Sequence, residues 1–338
     1  MKLLIDARPL VDPHSGGVQR VGVGLIEALC NEASSDEITL LTTGASKREI
    51  PFSIPQNTKH HHVERRNKML SASMMLGAPI ESYLPEKYDV LFFPNLGFTG
   101  PLNTPYIVLI HDLSFLIEPK WFSFKDRVWH KAVNPKTMIK NAKSIFTVSK
   151  QTKIDLEKLT GRKHAVHVLP MAHTPLKEAV AKTAERPYFF AFGSNDKRKN
   201  TACLIEAMDE LRKDYDVNLL VTGTETWGKP YVKALGRIND DELAEYVKGS
   251  EALLYPSWYE GYGLPVHEAA SIGVPVIASI AGALPETAPP GTKLVQPEKP
   301  HLWVTAMKSA LLSAQSSVPI SNERSWNEAA RMILNDFR

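Results

Sequence analysis

The stretch EALLYPSWYEGYGLPVHEAASIGVPVIAS, residues 251–279, predicts a strand, a loop, a helix and a second strand in succession. ALLYPS and VPVIAS are short apolar runs of strand character. The loop between them is rich in Gly and Pro, because Pro fixes φ and Gly admits a positive φ. Gly273 ends the predicted helix. Strands that alternate with helices in this way favour a parallel α/β sheet.

Two glutamates stand at the ends of the central loop. Glu260 lies where the first strand ends, and Glu268 lies in the first turns of the helix. Ligands bind at this edge of an open parallel sheet, and a carboxylate accepts hydrogen bonds from the vicinal hydroxyls of a ribose or a hexose. The backbone amides of Gly263 and Leu264 are candidates for a phosphate contact. The alternative is a helix cap and turn whose charges bind no ligand.

The same alternation of strands and helices runs along the rest of the chain. It starts at KLLID, lapses between about Leu169 and Pro187, and resumes at YFFAFGS. We therefore predict an α/β protein with two Rossmann-like doubly wound domains, residues 1–172 and residues 187–322, whose sheet edges face each other across a cleft. The pattern of WNEAARMILNDF predicts a further amphipathic helix within residues 323–338.

The composition excludes several classes of protein. Of 338 residues, 43% are hydrophobic and 23% are charged, as in ordinary globular domains. The net charge of +3 is too small to indicate nucleic-acid binding by itself. No apolar run is long enough for a transmembrane helix, and Asp6 and Arg8 break the apolar run that a signal peptide would need. Cys30 and Cys203 are expected to be buried free thiols in a reducing, cytoplasmic compartment.

The stretch FGSNDKRKN, residues 192–200, is a second candidate site. A strand ends at Gly193, three basic residues follow, and a helix begins near Asn200. Helix N-termini favour anions, and Arg198 and Lys199 beside such an end suit a pyrophosphate. A solvated run of charges is the alternative, but the position in a strand-to-helix turn favours anion binding.

The first half of the chain carries two weaker signals. His111 follows the apolar strand of IVLIHDLSF, where it would donate a hydrogen bond to a sugar or support charge at a reacting carbon. Gly16 and Gly17 of SGGVQR open a helix after the first strand, in a turn compatible with phosphate. A strand-end histidine bonded to backbone and an ordinary strand-to-helix turn are the alternatives.

Three other motifs indicate metal or membrane binding less strongly. DYD at 214–216 lies at the wrong edge of its predicted sheet for a metal site. HHH at 60–62 has no neighbouring carboxylate or cysteine in the sequence pattern, so a solvated strand is favoured. ERRNKMLSASMM, residues 64–75, fits either a membrane-surface patch or a helix with one core face, and the second is favoured.

Together these motifs resemble the retaining glycosyltransferases of family four, which have the two-domain GT-B architecture. EGYGLPVHEA matches the E-x7-E motif of that family, and residues 235–279 are similar to its C-terminal signature. GSNDKRKN resembles the stretch that holds the donor diphosphate, and AGALPE resembles the G-G-x-P-E turn with Ala281 in place of the first glycine. IDARPL, SGGVQR, IVLIHDLSF and FTVS resemble the N-terminal domain of mannosyl- and rhamnosyl-type members.

The resemblance implies a role for each candidate in the second half of the chain. Lys199 and Arg198 would neutralise the donor diphosphate, and Lys199, Glu260 and His111 are counted as the catalytic residues. Glu268 would hold the ribose hydroxyls of the nucleotide. Glu260 would hold hydroxyls of the donor sugar near the reacting carbon.

The resemblance also implies donor contacts from glycine amides and from the first domain. Gly263 and Leu264 would present their amides to the phosphate or the sugar. Gly17 would let the first domain approach the phosphates, and His111 would touch the donor sugar from the other side of the cleft. Ser194 is also counted as a donor-binding residue. It stands where many members have arginine, so more of the positive charge at the donor site would come from Lys199 and Arg198.

The implied activity is retaining transfer of a hexose from a nucleotide-diphosphate sugar, with mannose from GDP-mannose as the best match. The acceptor would be a glycan or a lipid-linked precursor of a surface polysaccharide, and neither a metal nor another cofactor is expected. No nucleic-acid partner is expected, and a peripheral contact with the inner face of the membrane stays open. The C-terminal helix would pack back toward the first domain. The alternatives are a nucleotide-sugar epimerase or phosphorylase on the same fold, and a non-catalytic sugar- or nucleotide-binding protein.

Overall fold

The computed structural model describes residues 1–12, 16–33, 36–177, 179–313 and 325–337. The chain divides into two compact units: residues 1–172 together with the C-terminal helix, and residues 173–322. Each unit is built around one parallel β-sheet. The described parts of residues 169–187, between the last strand of one sheet and the first of the other, form neither helix nor strand.

The first unit contains a sheet of seven strands within its described residues. Their order is β3-β2-β1-β4-β5-β6-β7, and every pairing is parallel. The strands are β1 Lys2–Asp6, β2 Glu37–Gly44, β3 Thr58–Glu64, β4 Val90–Phe93, β5 Tyr106–Ile110, β6 Ser144–Thr147 and β7 Val166–Val168.

The second unit repeats this strand order with six strands in its described part. The order is β10-β9-β8-β11-β12-β13, again all parallel, with Leu253 of β11 opposite Phe190 and Val276. The strands are β8 Tyr188–Ala191, β9 Asn218–Val221, β10 Val232–Ala234, β11 Leu253–Tyr255, β12 Val276–Ser279 and β13 Lys293–Val295. The direction of winding reverses between β8 and β11, and a doubly wound sheet has its ligand crevice at such a point.

The helices connect the strands in the crossover pattern that a parallel sheet requires. The α-helices are α1 Gly16–Glu32, α2 Asn67–Met75, α3 Ser114–Ile117, α4 Phe124–Val133, α5 Pro135–Asn141, α6 Lys150–Thr160, α7 Thr201–Leu211, α8 Asp240–Lys248, α9 Leu264–Ser271, α10 Leu284–Thr287, α11 Pro300–Leu312 and α12 Trp326–Phe337. Short 3-10 helices cover Arg8–Val11, Ile80–Tyr83, Pro119–Trp121 and Lys197–Lys199.

Both faces of the second sheet are buried. Phe189 and Leu254 pack into one apolar cluster with residues of α7 and α11. Phe190 and Tyr255, their neighbours along the strands, pack into another cluster with residues of α8 and α9. Because successive side chains of a strand point to opposite faces, a strand buried on both sides must be continuously apolar. This is why YFFA and LLY stand out as strands in the sequence.

The C-terminal helix α12 packs on α1 of the first unit. The contact is close because Gly24 of α1 leaves room for the Trp326 indole, which a Cβ at that position would overlap. The Phe337 ring lies edge-on to Phe92 of β4, with 6.3 Å between ring centroids. At the end of α12, the Lys143 ammonium donates to the backbone carbonyls of Asp336 and Phe337 at 2.7 Å and 3.2 Å, which stabilises the negative end of the helix dipole.

The predicted strands and helices are confirmed, and so are the buried free thiols. Cys30 and Cys203 are both buried, and burial raises the pKa of the Cys30 thiol to about 11. The strands β7, β10 and β13 were not predicted. Each has three residues, one of them His or Lys, so no continuous apolar run marks them as it marks the equally short β11.

Candidate active site

Two loops meet at the carboxyl edge of the second sheet, where its winding reverses. One follows β8 and includes Arg198, and the other follows β11 and includes Trp258, whose amide donates to the Arg198 carbonyl at 2.8 Å. Asn200 links the first loop to two other segments of the chain. Its side-chain amide donates to the carbonyls of Pro256 at 3.2 Å and Pro297 at 2.8 Å. Asn200 has a φ of 50°, a left-handed conformation that asparagine tolerates better than most residues.

The centre of this edge is an ion pair between the two predicted motifs. Lys199 Nζ lies 2.7 Å from Glu260 Oε1, and the two side chains are only 18% and 16% exposed. The same ammonium donates to the Tyr255 hydroxyl at 2.7 Å and lies 4.5 Å from the centroid of that ring. Burial by itself disfavours the charged ammonium, but Glu260 and Tyr255 outweigh burial, so the pKa of Lys199 is raised. Lys199 therefore carries its full positive charge at neutral pH.

Because Gly193 has no side chain, the aliphatic part of the Lys199 side chain can pass close to its backbone at the sheet edge. Gly193 has a φ of 70°, and a Cβ there would lie 2.8 Å from Cγ of Lys199. A side chain at this position would therefore both strain the backbone and push Lys199 away from Glu260.

Arg198 is held by a neighbouring carboxylate. Its guanidinium donates to the two oxygens of Asp196 at 3.2 Å and 2.8 Å, in the fork geometry typical of arginine–carboxylate pairs. Burial opposes charge on Asp196, yet the bonds to Arg198 lower the pKa of that carboxyl. Arg198 is thus oriented within the loop, and its positive charge is balanced before any ligand arrives.

Ser194 cross-links two loops. Its side chain is buried, and its hydroxyl accepts a hydrogen bond from the Glu225 amide at 3.1 Å. The side-chain oxygen Oδ1 of the neighbouring Asn195 accepts from the Thr224 amide at 2.8 Å. These bonds tie the loop after β8 to the loop after β9, so Ser194 has a role in positioning the loop that does not require a ligand.

The turn AGALPE supports the backbone of Glu260. Gly282 has a φ of 59°, and a Cβ on it would lie 2.5 Å from the carbonyl oxygen and 2.6 Å from the nitrogen of Glu260. The amide of Ala283 donates to the same carbonyl at 2.9 Å. Gly282, the second glycine position of the family pattern, is therefore the one that requires glycine. Ala281 has no positive φ, so alanine fits the first position.

Helix α9 begins directly after the glutamate loop. Gly263 caps it with a φ of 92°, and a Cβ there would lie 2.6 Å from Cδ2 of Leu284. The first amides of a helix have no partner one turn earlier, so the amides at Gly263 and Leu264 stand at the positive end of the helix dipole. Glu268 lies in the next turn with its side chain 4% exposed.

In the first unit, His111 lies beside a small cavity of about 140 Å³. The cavity wall also includes Val18, Asp112 and Trp129. Gly17 is the second residue of α1 and precedes Val18, so the structure brings both first-unit candidates to the same region. A Cβ on Gly17 would meet no other atom within 4 Å, so packing inside the described protein does not require glycine there.

The hydrogen bonding of His111 determines what the ring can offer a ligand. Its Nε2 lies 2.7 Å from the Pro94 carbonyl oxygen. That oxygen can only accept, so Nε2 carries the proton. Burial lowers the pKa of the ring, partly offset by Pro94 and Asp112, so the ring is neutral at pH 7 and Nδ1 is an acceptor. A sugar hydroxyl would therefore donate to His111, which is the opposite direction from the donation predicted above.

The histidines of HHH lie in a strand, as the sequence favours, but they are half-buried and bonded inside the protein, so the expectation of a solvated strand was wrong. They belong to β3, where the Thr42 hydroxyl lies 2.6 Å from Nε2 of His60 and 3.0 Å from Nδ1 of His62. Of DYD, Asp214 pairs with Lys308 at 2.7 Å. Among the described residues, no group of three or more His, Cys, Asp or Glu side chains is arranged to hold a metal ion.

The structure adds three positioning residues that sequence reasoning did not single out. Tyr255 sits inside an apolar strand and looks like a core residue, Asn200 looks like an ordinary helix cap, and Gly282 looks like any turn glycine. Their contacts lie with segments that are far away along the chain, so a motif confined to one segment does not reveal them.

Comparison with known proteins gives the family. Residues 186–313, which carry β8 to α11, match the family model described as "Glycosyl transferases group 1". The O-antigen chain mannosyltransferase B of Escherichia coli is 24% identical over 327 residues, which cover 85% of this chain and 84% of that protein. Residues 186–313 therefore carry a group 1 glycosyltransferase domain.

Two further comparisons extend this likeness. The MMP α-(1→4)-mannosyltransferase of Mycolicibacterium hassiacum is 30% identical over 185 residues, or 51% of this chain and 43% of that protein. The structure of sucrose-phosphate synthase from Thermosynechococcus elongatus matches with a TM-score of 0.67 at 18% identity, over 99% of this chain and 94% of the other. The predicted GT-B fold class is therefore confirmed. No helix in the described ranges has the length and apolar character needed to cross a membrane.

Proposed function

We propose that this glycosyltransferase moves mannose from GDP-mannose to a growing glycan or lipid-linked acceptor in surface polysaccharide synthesis. Both curated relatives described above are mannosyltransferases by name, and the Escherichia coli protein builds an O-antigen chain. The observation that carries the proposal is the half-buried pair Lys199–Glu260 at the winding reversal of the second sheet. It joins a cation suited to a diphosphate and a carboxylate suited to sugar hydroxyls at one point.

Lys199 would stabilise the leaving group. When the bond between the anomeric carbon and the diphosphate breaks, negative charge grows on the phosphate oxygens. An ammonium that is already in place and largely shielded from water stabilises this charge without reorganisation, and such preorganised electrostatics is often the largest contribution to catalysis. The α9 amides at Gly263 and Leu264 would add partial positive charge at the same edge.

The charge balance of the site gives Glu260 a second role. Lys199 forms an ion pair with Glu260 and Arg198 forms one with Asp196, so both cations are engaged before the donor arrives. A diphosphate must therefore compete with Glu260 for the ammonium. We propose that it does so by turning the Glu260 carboxylate toward the hydroxyls of the donor sugar, which couples donor binding to sugar recognition.

The reaction proposed is a direct, metal-independent transfer with retention of configuration. The acceptor hydroxyl attacks the anomeric carbon on the face from which the diphosphate leaves, and its proton passes to the leaving phosphate oxygen. The hydroxyl oxygen gains the new glycosidic bond as the carbon–phosphate oxygen bond breaks. Glu260 is engaged by Lys199 and Tyr255, so we assign it to binding and not to a covalent glycosyl-enzyme.

The test is a transfer assay with GDP-mannose and other nucleotide sugars in the presence of EDTA. Oligosaccharide acceptors are included, and the anomeric configuration of the product is read by NMR. We expect an α-linked product from an α-linked donor without added metal. A β-linked product would contradict retention, and transfer that needs a divalent ion would contradict metal independence. Conversion of the donor to an epimer without any acceptor would favour the epimerase alternative.

A peripheral membrane contact is a further part of the proposal, and helix α2 supports it. Leu70 and Met74 face the core, whereas Met69 and Leu76 are 62% and 89% exposed. Arg65, Arg66 and Lys68 next to them are exposed as well. Apolar side chains flanked by cations suit the surface of an anionic bilayer. Co-sedimentation with phosphatidylglycerol vesicles but not with phosphatidylcholine vesicles is expected. Equal sedimentation with both, or with neither, would contradict it.

A further inference from the structure

Two cavities of the first unit share a wall. The cavity beside His111 has a volume of about 140 Å³, and a second cavity has about 350 Å³. Val133 lines both of them. Phe98 lines the second cavity, and its ring lies edge-on to Trp129 of the first, with 5.8 Å between centroids. The two spaces are therefore neighbours, separated by a thin wall of α4 and the Phe98 ring.

The first cavity has the chemistry of a sugar site. Trp129 leaves 46% of its surface exposed, and it belongs to helix α4, which has no buried residue. An exposed indole at a cavity wall offers a flat apolar surface on which the apolar face of a pyranose can stack. Asn95 in the same wall supplies a polar group for the hydroxyls of that sugar.

The second cavity has a mixed lining and opens to solvent. Thr137 and Asn141 contribute polar groups and are exposed, and Met75 and Leu102 contribute apolar ones. Four of the lining residues are threonines or asparagines, with hydroxyl or amide groups: Thr99, Asn134, Thr137 and Asn141. These groups give the hydroxyls of a second sugar ring hydrogen-bond partners that a lipid chain would leave unused.

We infer that the acceptor is a glycan of at least two sugars that spans both cavities, with its terminal sugar stacked on Trp129. The inference rests on the proposed glycosyl transfer and specifies its acceptor: the enzyme extends an existing chain and does not begin one on a single sugar. Trp129 is then an acceptor-binding residue, and Thr137 contacts the second sugar.

The test compares methyl glycosides of mono-, di- and trisaccharides built from mannose, galactose or glucose, together with an octyl monosaccharide. The best disaccharide should have a KM at least tenfold below that of its monosaccharide. Trp129→Ala should raise the KM of every acceptor at least tenfold, while Thr137→Val should raise it threefold or more for di- and trisaccharides alone. The donor KM should not change. Phe124→Ala is the matched control, because Phe124 is an exposed aromatic residue of the same helix that lines neither cavity.

Several outcomes would overturn the inference. Equal KM values for mono- and disaccharides, or a Trp129→Ala enzyme with a normal acceptor KM, would each do so. An octyl chain that replaces the second sugar without loss would assign the second cavity to a lipid. Binding is measured in parallel by saturation-transfer NMR without donor. If the wild-type protein binds longer glycans no better than monosaccharides, the inference is overturned even when no transfer occurs. Preferential binding of longer glycans without any transfer contradicts the proposed function and leaves the acceptor site standing.

Discussion

Lys199 and Glu260 lie 61 positions apart in the chain, and their charged atoms lie 2.7 Å apart in the fold. Each belongs to a different loop of the second sheet, one after β8 and one after β11. Because these strands are neighbours at the point where the winding reverses, the sheet itself brings the two loops together. The pair is the point at which a phosphate and a sugar can be bound side by side.

Removing the lysine should weaken nucleotide binding selectively. Lys199→Ala should lower the affinity for the nucleoside diphosphate by about 1.5–3 kcal/mol, the scale of a hydrogen bond to a charged group. Calorimetric titration measures this loss. Lys197→Ala is the control, because Lys197 is exposed on the same turn. This variant should bind the nucleoside diphosphate as tightly as the wild type does. Equal affinities for the wild type and Lys199→Ala would refute the diphosphate assignment.

Neutralising the glutamate should separate binding from catalysis. Glu260→Gln keeps the shape of the side chain but no longer competes for the Lys199 ammonium. The affinity for the nucleoside diphosphate should therefore stay the same or rise, while transfer should fall by about 100-fold or more, as when a transition-state contact is lost. Parallel calorimetry and transfer assays test both statements. A variant that binds more weakly and transfers normally would reverse the proposed roles.

The Tyr255 hydroxyl should act by holding the lysine in place. Tyr255→Phe removes one hydrogen bond to Lys199 and retains the ring, so the affinity for the diphosphate should fall by about 0.5–1.5 kcal/mol. Tyr255→Leu also removes the ring that lies 4.5 Å from the ammonium and should lose more. Thermal unfolding of both variants separates a general loss of stability from lost positioning. A Tyr255→Phe variant with wild-type affinity would argue against a role of the hydroxyl, and phenylalanine as harmful as leucine would argue against a contribution of the ring.

The AGALPE turn offers a matched pair of substitutions. Gly282→Ala places a Cβ against the Glu260 backbone at a φ of 59°, so the free energy of unfolding should fall by about 1–3 kcal/mol and transfer should fall with it. Ala281→Gly restores the first glycine of the family pattern and should lower stability by no more than about 1 kcal/mol. Denaturant unfolding measures both changes. The reverse order of the two effects would show that the first glycine is the essential one.

His111 should remain neutral through the physiological range. Burial lowers its pKa below the usual 6.5, so its contribution to stability is fully present above about pH 6.5 and is lost as the pH falls through the folded-state pKa. The difference in unfolding free energy between the wild type and His111→Gln should accordingly shrink in acid. An NMR titration of the ring gives the pKa directly. A value above 6.5 would contradict the neutral ring that accepts from a sugar.

Much of the fold was predictable because the strands are buried on both faces. Runs such as KLLID, YFFA and LLY are continuously apolar, and each ends in a polar or turn residue where the strand reaches the ligand edge. The same argument placed Lys199 and Glu260 at one edge of one sheet. The direct ion pair between them was not predictable, since side-chain contacts between two loops depend on loop conformation.

The supporting residues escaped the sequence argument for a physical reason. Asn200 bonds to carbonyls 56 and 97 positions away, and Gly282 is needed only because the Glu260 backbone passes beside it. Residues of this kind contact segments that are distant in the sequence and close in the fold. The residues next to them in the sequence do not indicate those contacts. His111 shows the same limit, because the Pro94 carbonyl that fixes its tautomer follows a different strand.

The most direct test of the central claim is a calorimetric titration of GDP, UDP, ADP and dTDP into the wild-type protein with EDTA present. The Lys199–Glu260 site predicts that one nucleoside diphosphate binds selectively without metal, and the proposed donor predicts that it is GDP. Selective binding of another nucleotide would keep the site and replace the donor. Binding of none of the four, or binding only after a divalent ion is restored, would contradict a metal-independent diphosphate site at Lys199.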